Sequence, residues 1–196
     1  YWFDYQDARV VVLDGTSALD LGTAQAQARW LDQVLAGSHA PWNLVMVHQP
    51  MFSPRQDREN RLLREHVLPV LERHRVDLVL QGHDHVYGRR GGRVAGQATP
   101  QYLVSVAGAK QYRLSTQARA SMAPVAEDTQ LFQVLRIDGQ RLRYEARTAT
   151  GRLYDAFELV RGGDGTQLRE VHEGRIRPRD CQRPHSPKGR GDRCWE

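Results

Sequence analysis

Three short aliphatic runs constrain the fold most: Ala8–Leu13, Asn43–Val47 and Val76–Leu80. Each is dense in Val and Leu, and each stops at a polar or glycine-containing break. The breaks are Asp14-Gly15, His48-Gln49-Pro50 and Gln81-Gly82-His83. Short apolar runs bounded in this way read as buried strands. The stretches between them have helical period. Thr23–Leu35 carries Ala24, Ala28, Leu31 and Leu35 on one face, widened by Trp30 and Val34, and Gly37 stops it. Arg58–Arg75 places Leu62, His66, Val70 and His74 on one stripe. Pro69 lies inside that stripe, which predicts two short helices or one bent one. Tyr102–Val106 reads as a fourth strand.

The pattern changes at Gln130. Gln130–Ile137, Arg141–Thr148 and Leu153–Val160 alternate or nearly so, with Asp138-Gly139-Gln140 and Thr150-Gly151 between them. These are hairpin-linked antiparallel strands. Strands alternating with helices and followed by a meander predict a mixed sheet, with helices on one side and a second sheet packed behind. Residues 161–196 lose the periodicity and collect Gly, Pro and Arg, which predicts an extended, poorly ordered tail behind a domain over residues 1–160.

Composition excludes several classes. The longest apolar runs, such as Leu44–Val47, fall far short of the ~18 residues of a membrane span. The net charge of +5 raises the question of nucleic acid, but nine basic and six acidic residues of the tail carry +3 of it. Basic and aromatic residues do not interleave along one element as a nucleic-acid platform needs. Cys181 and Cys194 are too few for a cysteine-ligated zinc site and could close one short loop in an oxidising compartment. The chain opens Tyr1-Trp2-Phe3 with no visible targeting segment, which reads as a mature chain or a piece of a longer one.

Three histidines sit where buried strands end, and in open α/β sheets that rim is where ligands bind. His48 follows Leu44–Val47. His83 and His85 follow Leu78–Gly82, with Gly82 expected to let the backbone bend. Imidazoles two residues apart in a turn can converge on one ion, and His48 on the neighbouring strand end can join them. His39, His66, His74, His172 and His185 read as packing or surface residues.

Here the sequence resembles a known family. Gly82-His83-Asp84-His85-Val86-Tyr87-Gly88-Arg89 resembles the last signature of the calcineurin-like metallophosphoesterases in its purple acid phosphatase form. Val45-Met46-Val47-His48-Gln49-Pro50 resembles the signature before it, and Phe3-Asp4-Tyr5 with Val10–Asp14 the strand upstream. The resemblance covers about residues 3–160. It implies an α/β fold, a mixed-sheet α/β/β/α sandwich of metallophosphoesterase type, with the N-terminal part missing from this chain. It also implies hydrolysis of phosphate esters by a hydroxide bridging two metal ions, divalent or trivalent Fe, Zn or Mn. His48 and His83 would ligate one ion and His85 the other. Arg55 and Arg58, in the loop after His48, would contact the phosphate ester. Asp84, Tyr87 and Arg89 would support the ligands, Asp84 by orienting a histidine or facing solvent.

The family's earlier signatures, which supply its carboxylate ligands, are absent here. The resemblance therefore implies an N-terminal portion of the same enzyme as the partner that completes the site. Three neutral imidazoles cannot offset the charge of two cations, so this chain alone is expected to hold at most one ion, weakly, and to be a poor catalyst. The family implies a secreted or periplasmic location, the alternative being cytoplasmic. The rival functional reading is a catalytically incompetent remnant, or interaction module, that keeps the fold.

Overall fold

The structure is a computed structural model that describes residues 1–163 and 165–181. The chain enters through β1 (Trp2–Tyr5), turns back into β2 (Ala8–Leu13), and continues through α1 (Gly15–Asp20) and α2 (Ala24–Ala36) to β3 (Trp42–Val47). A π-helical turn at Leu63–Val67 runs directly into α3 (Leu68–Arg73). Pro69 has no N–H to donate to the preceding turn. The wider turn just before it gives one helix with a local change of pitch, where the sequence predicted two helices or a bend. β4 (Leu78–Gln81), β5 (Tyr87–Arg90), the small β6 (Arg93–Val94) and β7 (Gln97–Ala98) hairpin, and β8 (Gln101–Val104) follow. After α4 (Thr116–Ser121) and β9 (Val125–Ala126) comes the meander β10 (Leu131–Asp138), β11 (Arg141–Thr148), β12 (Leu153–Gly162) and β13 (Gly165–Glu170).

The first sheet has the order β1-β2-β3-β4-β8-β5-β9, and the second is β10-β11-β12-β13. β2, β3, β4 and β8 are parallel; β1, β5 and β9 pair antiparallel at the margins. Alternation along each strand sorts the side chains into two cores. Val11, Val45, Val79 and Tyr102 face α2, the π-helical turn and α3. Leu44, Leu78 and Leu103 face Leu142, Tyr144, Phe157 and Leu159 of the second sheet. The predicted mixed sheet with helices on one side and a second sheet behind is what forms. The outer face of the second sheet carries ions: Glu145 is buried beneath Arg136, Arg143 and Arg147, at 3.1, 2.8 and 2.8 Å. Among the described residues no helix covers that face.

The sequence placed a tail from residue 161, and there the structure corrects it. β12 runs on to Gly162, and β13 pairs with it from Gly162↔Gly165 to Phe157↔Glu170. Only Leu168 of β13 is buried. An edge strand with one inward side chain has almost no hydropathy period, and the backbone ladder carries it. The following segment is also docked. Ile176 N–H donates to the Leu153 carbonyl at 2.8 Å, and Arg179 bridges to Ala126. Cys181 is buried and is not a free thiol. Cys194, and with it the expected pairing, lies outside the described residues.

Candidate functional site

The sheet register builds the site. Leu13 pairs with Val47, Val47 with Gln81, and Gln81 with Val104, so the carboxyl ends of four parallel strands form one row. His48 leaves β3 and Gly82-His83 leaves β4 side by side at that rim. The Gly82 amide donates to the His48 carbonyl at 3.0 Å and extends the ladder by one residue. His83 Nδ1 then lies 3.0 Å from His48 Nε2, with the rings crossing at 82°. A cavity of about 430 Å³ opens beside His48, between Met46, Leu80 and Leu103 of the first sheet and Gln133 of β10.

The bend is not made by Gly82, as the sequence suggested. A Cβ there would meet His48 at an ordinary 3.6 Å. The turn is made by His83 at φ +68° and His85 at φ +47°, both left-handed, on either side of Asp84. Non-glycine residues in that region cost ~1–3 kcal/mol each and need an anchor. Asp84 is that anchor. Its side chain is fully buried; it accepts a hydrogen bond from Ser53 Oγ, and its Oδ1 lies 2.8 Å from Arg58 Nε. Of the two expectations for Asp84, the structure excludes a place facing solvent. Instead Asp84 ties the His83–His85 turn to the loop that follows His48.

His85 is turned to a different partner. Its Nδ1 lies 2.9 Å from the Lys110 carbonyl, and its ring packs 5.0 Å from that of Tyr112. A carbonyl only accepts, so Nδ1 carries a proton, and Nε2 is the ring nitrogen left to act as a ligand. Burial, then the Arg58 charge and the neighbouring His48, push the His83 imidazole below its usual range. Arg55 stacks 4.4 Å over Tyr112. Arg58 is engaged by Asp84. Tyr87 and Arg89 turn away from the rim into the space between the sheets. Tyr87 Oη donates to Asp155 Oδ2 at 2.7 Å, and Arg89 pairs with Asp155 at 2.9 Å and Glu170 at 2.8 Å. Ser53, Lys110 and Tyr112 were not singled out from sequence. Each acts through a tertiary contact that no local pattern records.

A metal ion suits part of this donor set. Two imidazole nitrogens 3.0 Å apart match neighbouring ligands of one ion at metal–nitrogen lengths of ~2.0–2.1 Å. A carbonyl on Nδ1 of His85 is the usual partner that fixes a ligating histidine. Among the described residues no group of three His, Cys, Asp or Glu side chains converges on one point. A complete dinuclear set therefore does not fit these residues alone.

Residues 3–87 match the family model described as calcineurin-like phosphoesterase. Purple acid phosphatase 17 of Arabidopsis thaliana is 34% identical over 90 residues, covering 45% of this chain and 25% of that protein. Tartrate-resistant acid phosphatase type 5 of Sus scrofa is 33% identical over 66 residues, 34% of this chain and 19% of that protein. The chain thus spans about a quarter or less of the curated relatives it matches. Purple acid phosphatase PPD1 from yellow lupin (Lupinus luteus) seeds shares the fold with a TM-score of 0.69 at 19% identity, over 84% of this chain and 33% of that one. GAP50, described as the anchor in the inner membrane complex of Plasmodium, does so with a TM-score of 0.63 at 14% identity, over 90% and 55%. The histidine-bearing strand ends lie within the matched segment, and sequence and fold agree: over residues 3–87 the chain is similar to the calcineurin-like phosphoesterases, and it resembles their purple acid phosphatase members.

Proposed function

We propose that this chain supplies the three-histidine part of the metal centre of a phosphoesterase that hydrolyses phosphate esters. The observation that carries the reading is the 3.0 Å approach of His48 Nε2 to His83 Nδ1 at the rim of the parallel strands. His48 and His83 would hold one ion; His85, with Nε2 free, would hold the second. Iron, zinc and manganese all accept such ligands. The bound ions would supply Lewis-acid activation of water and neutralise the phosphoryl charge. Asp84 keeps the strained turn in place, so that both imidazoles are presented without reorganisation. Arg55 and Arg58 lie in the loop after His48 and add positive potential where a phosphate ester would approach. The carboxylate ligands would come from an N-terminal portion of the same enzyme. A secreted or periplasmic setting belongs to the same reading, and the two cysteines favour it.

The test is metal-dependent hydrolysis of p-nitrophenyl phosphate by the natural gene product that carries this sequence. The His83→Ala variant should lose at least about a hundredfold of the activity, as loss of a ligand or its support does. Activity that survives His83→Ala contradicts the reading. A product that binds metal yet hydrolyses no ester, wild type included, favours the rival, a module that keeps the fold without the chemistry.

A further inference from the structure

A second cavity, of about 750 Å³, lies at the amino end of β8, the end opposite the histidine rim. It is lined by Arg75, Arg90 and Arg93, with Glu72 as the acidic side chain among them, and by the side chains of Phe52 and Tyr102. Three features make it more than a crevice. Tyr102 is 6% exposed, and its buried hydroxyl has no hydrogen-bond partner among the described residues. Buried polar groups are nearly always paired, so this hydroxyl, on a residue that lines the cavity, lacks the partner such a group normally has. Arg90 has no acceptor or ion-pair partner among the described residues, and its guanidinium rests 4.0 Å over the face of Phe52. Phe52 in turn stands edge-on to Tyr102, with ring centroids 5.1 Å apart. By contrast, Arg75 already donates to Gln97 at 2.7 Å, and Arg93 to the Leu168 carbonyl.

The volume lies within the ~300–1,000 Å³ of small-molecule sites and far exceeds the need of an inorganic ion. An Arg fork matches the oxygens of phosphate or carboxylate, and a guanidinium lying on an aromatic ring leaves its edge free for them. The aliphatic side chains of Val94, Ala98 and Pro100 offer a surface for a carbon body. We propose that this cavity is a second ligand site, separate from the histidine rim, for a small organic anion. Its phosphate or carboxylate head meets Arg90 and the Tyr102 hydroxyl, and its apolar body packs against the hairpin of β6 and β7.

The experiment is a titration of the protein with phenylphosphonate, whose carbon–phosphorus bond resists phosphoesterases, followed by backbone amide NMR. Saturable shifts are expected over Arg90–Thr99. His83→Ala should leave the affinity unchanged. Arg90→Ala and Tyr102→Phe should each weaken it about tenfold, the worth of one charge-assisted hydrogen bond. Tyr102→Phe removes only an unpaired hydroxyl, so it folds even if Arg90→Ala does not. Benzoate in a parallel titration separates a carboxylate head from a phosphate head, whichever binds more tightly. Inorganic phosphate should bind more weakly than phenylphosphonate. The site is overturned by shifts confined to the surroundings of His48 and His83, by absence of saturable shifts, by equal affinity for inorganic phosphate, or by affinity unchanged in Tyr102→Phe.

Discussion

Nε2 of His48 and Nδ1 of His83 lie 3.0 Å apart, although 35 positions separate the residues in the chain. The distance follows from the sheet. Val47 and Gln81 are registered partners in adjacent parallel strands, and the Gly82 amide carries the ladder one step past them. Neighbouring strands lie ~4.8 Å apart, so side chains that leave two adjacent ends on the same side must meet. Two neutral imidazoles meeting there can share one proton between their nitrogens, and they can equally share a cation.

Asp84 should matter to stability before it matters to chemistry. It is buried, holds Ser53 and Arg58, and sits between two residues of positive φ. Asp84→Ala is expected to cost about 3 kcal/mol, because a buried charged partner is lost and the strained turn loses its anchor. Urea denaturation measures it. A Ser53→Ala change in the same background should add little, since both remove one contact. Full additivity would contradict the coupling.

Arg89 belongs to the signature that resembles the phosphoesterases, yet it is buried between the sheets against Asp155 and Glu170. Arg89→Ala should cost about 3 kcal/mol by leaving those carboxylates short of a partner, with Arg175 offsetting part of the loss. Zinc affinity measured on the folded variant should stay within about twofold of wild type, since a residue that acts only on the scaffold is worth little at the site. A large loss of affinity without loss of stability would place Arg89 at the ligands instead.

Glu145 gives the fold a pH dependence. Burial raises its carboxyl pKa, and Arg147, Arg143 and Arg136 outweigh that, pulling it down to about 2. In the unfolded chain the value is ~4.3. The stabilisation is therefore fully present above about pH 5 and is lost as the pH falls toward 2, on the order of 3 kcal/mol in all. Wild type and Glu145→Gln, unfolded by urea across this range, should differ most at neutral pH and converge in acid. A constant difference would contradict the assignment.

The parallel strands and their histidines were legible because buried runs and their breaks are local signals: Ala8–Leu13, Asn43–Val47 and Val76–Leu80 read directly. Asp14-Gly15 read as a break after the strand, and that break is the start of α1, with Asp14 as its N-cap and its carboxylate accepting from the Ser17 amide at 2.9 Å. The same two residues serve either purpose, and only the chain beyond decides. β5 was hidden inside the Tyr87–Arg89 signature, where successive residues are buried on both faces and exposure does not alternate. β13 was hidden by its single inward Leu168. The clamp of Asp84 on Ser53 and Arg58, and the Lys110 carbonyl behind His85, arise from contacts between distant segments and have no period to read.

The most direct measurement is isothermal titration of this chain with zinc, alongside His48→Ala and His83→Ala. At most one ion per chain is predicted, bound weakly and lost in either variant, because the two imidazoles act as one bite and no carboxylate joins them among the described residues. Two tight sites per chain, or binding that is unchanged in both variants, would contradict it.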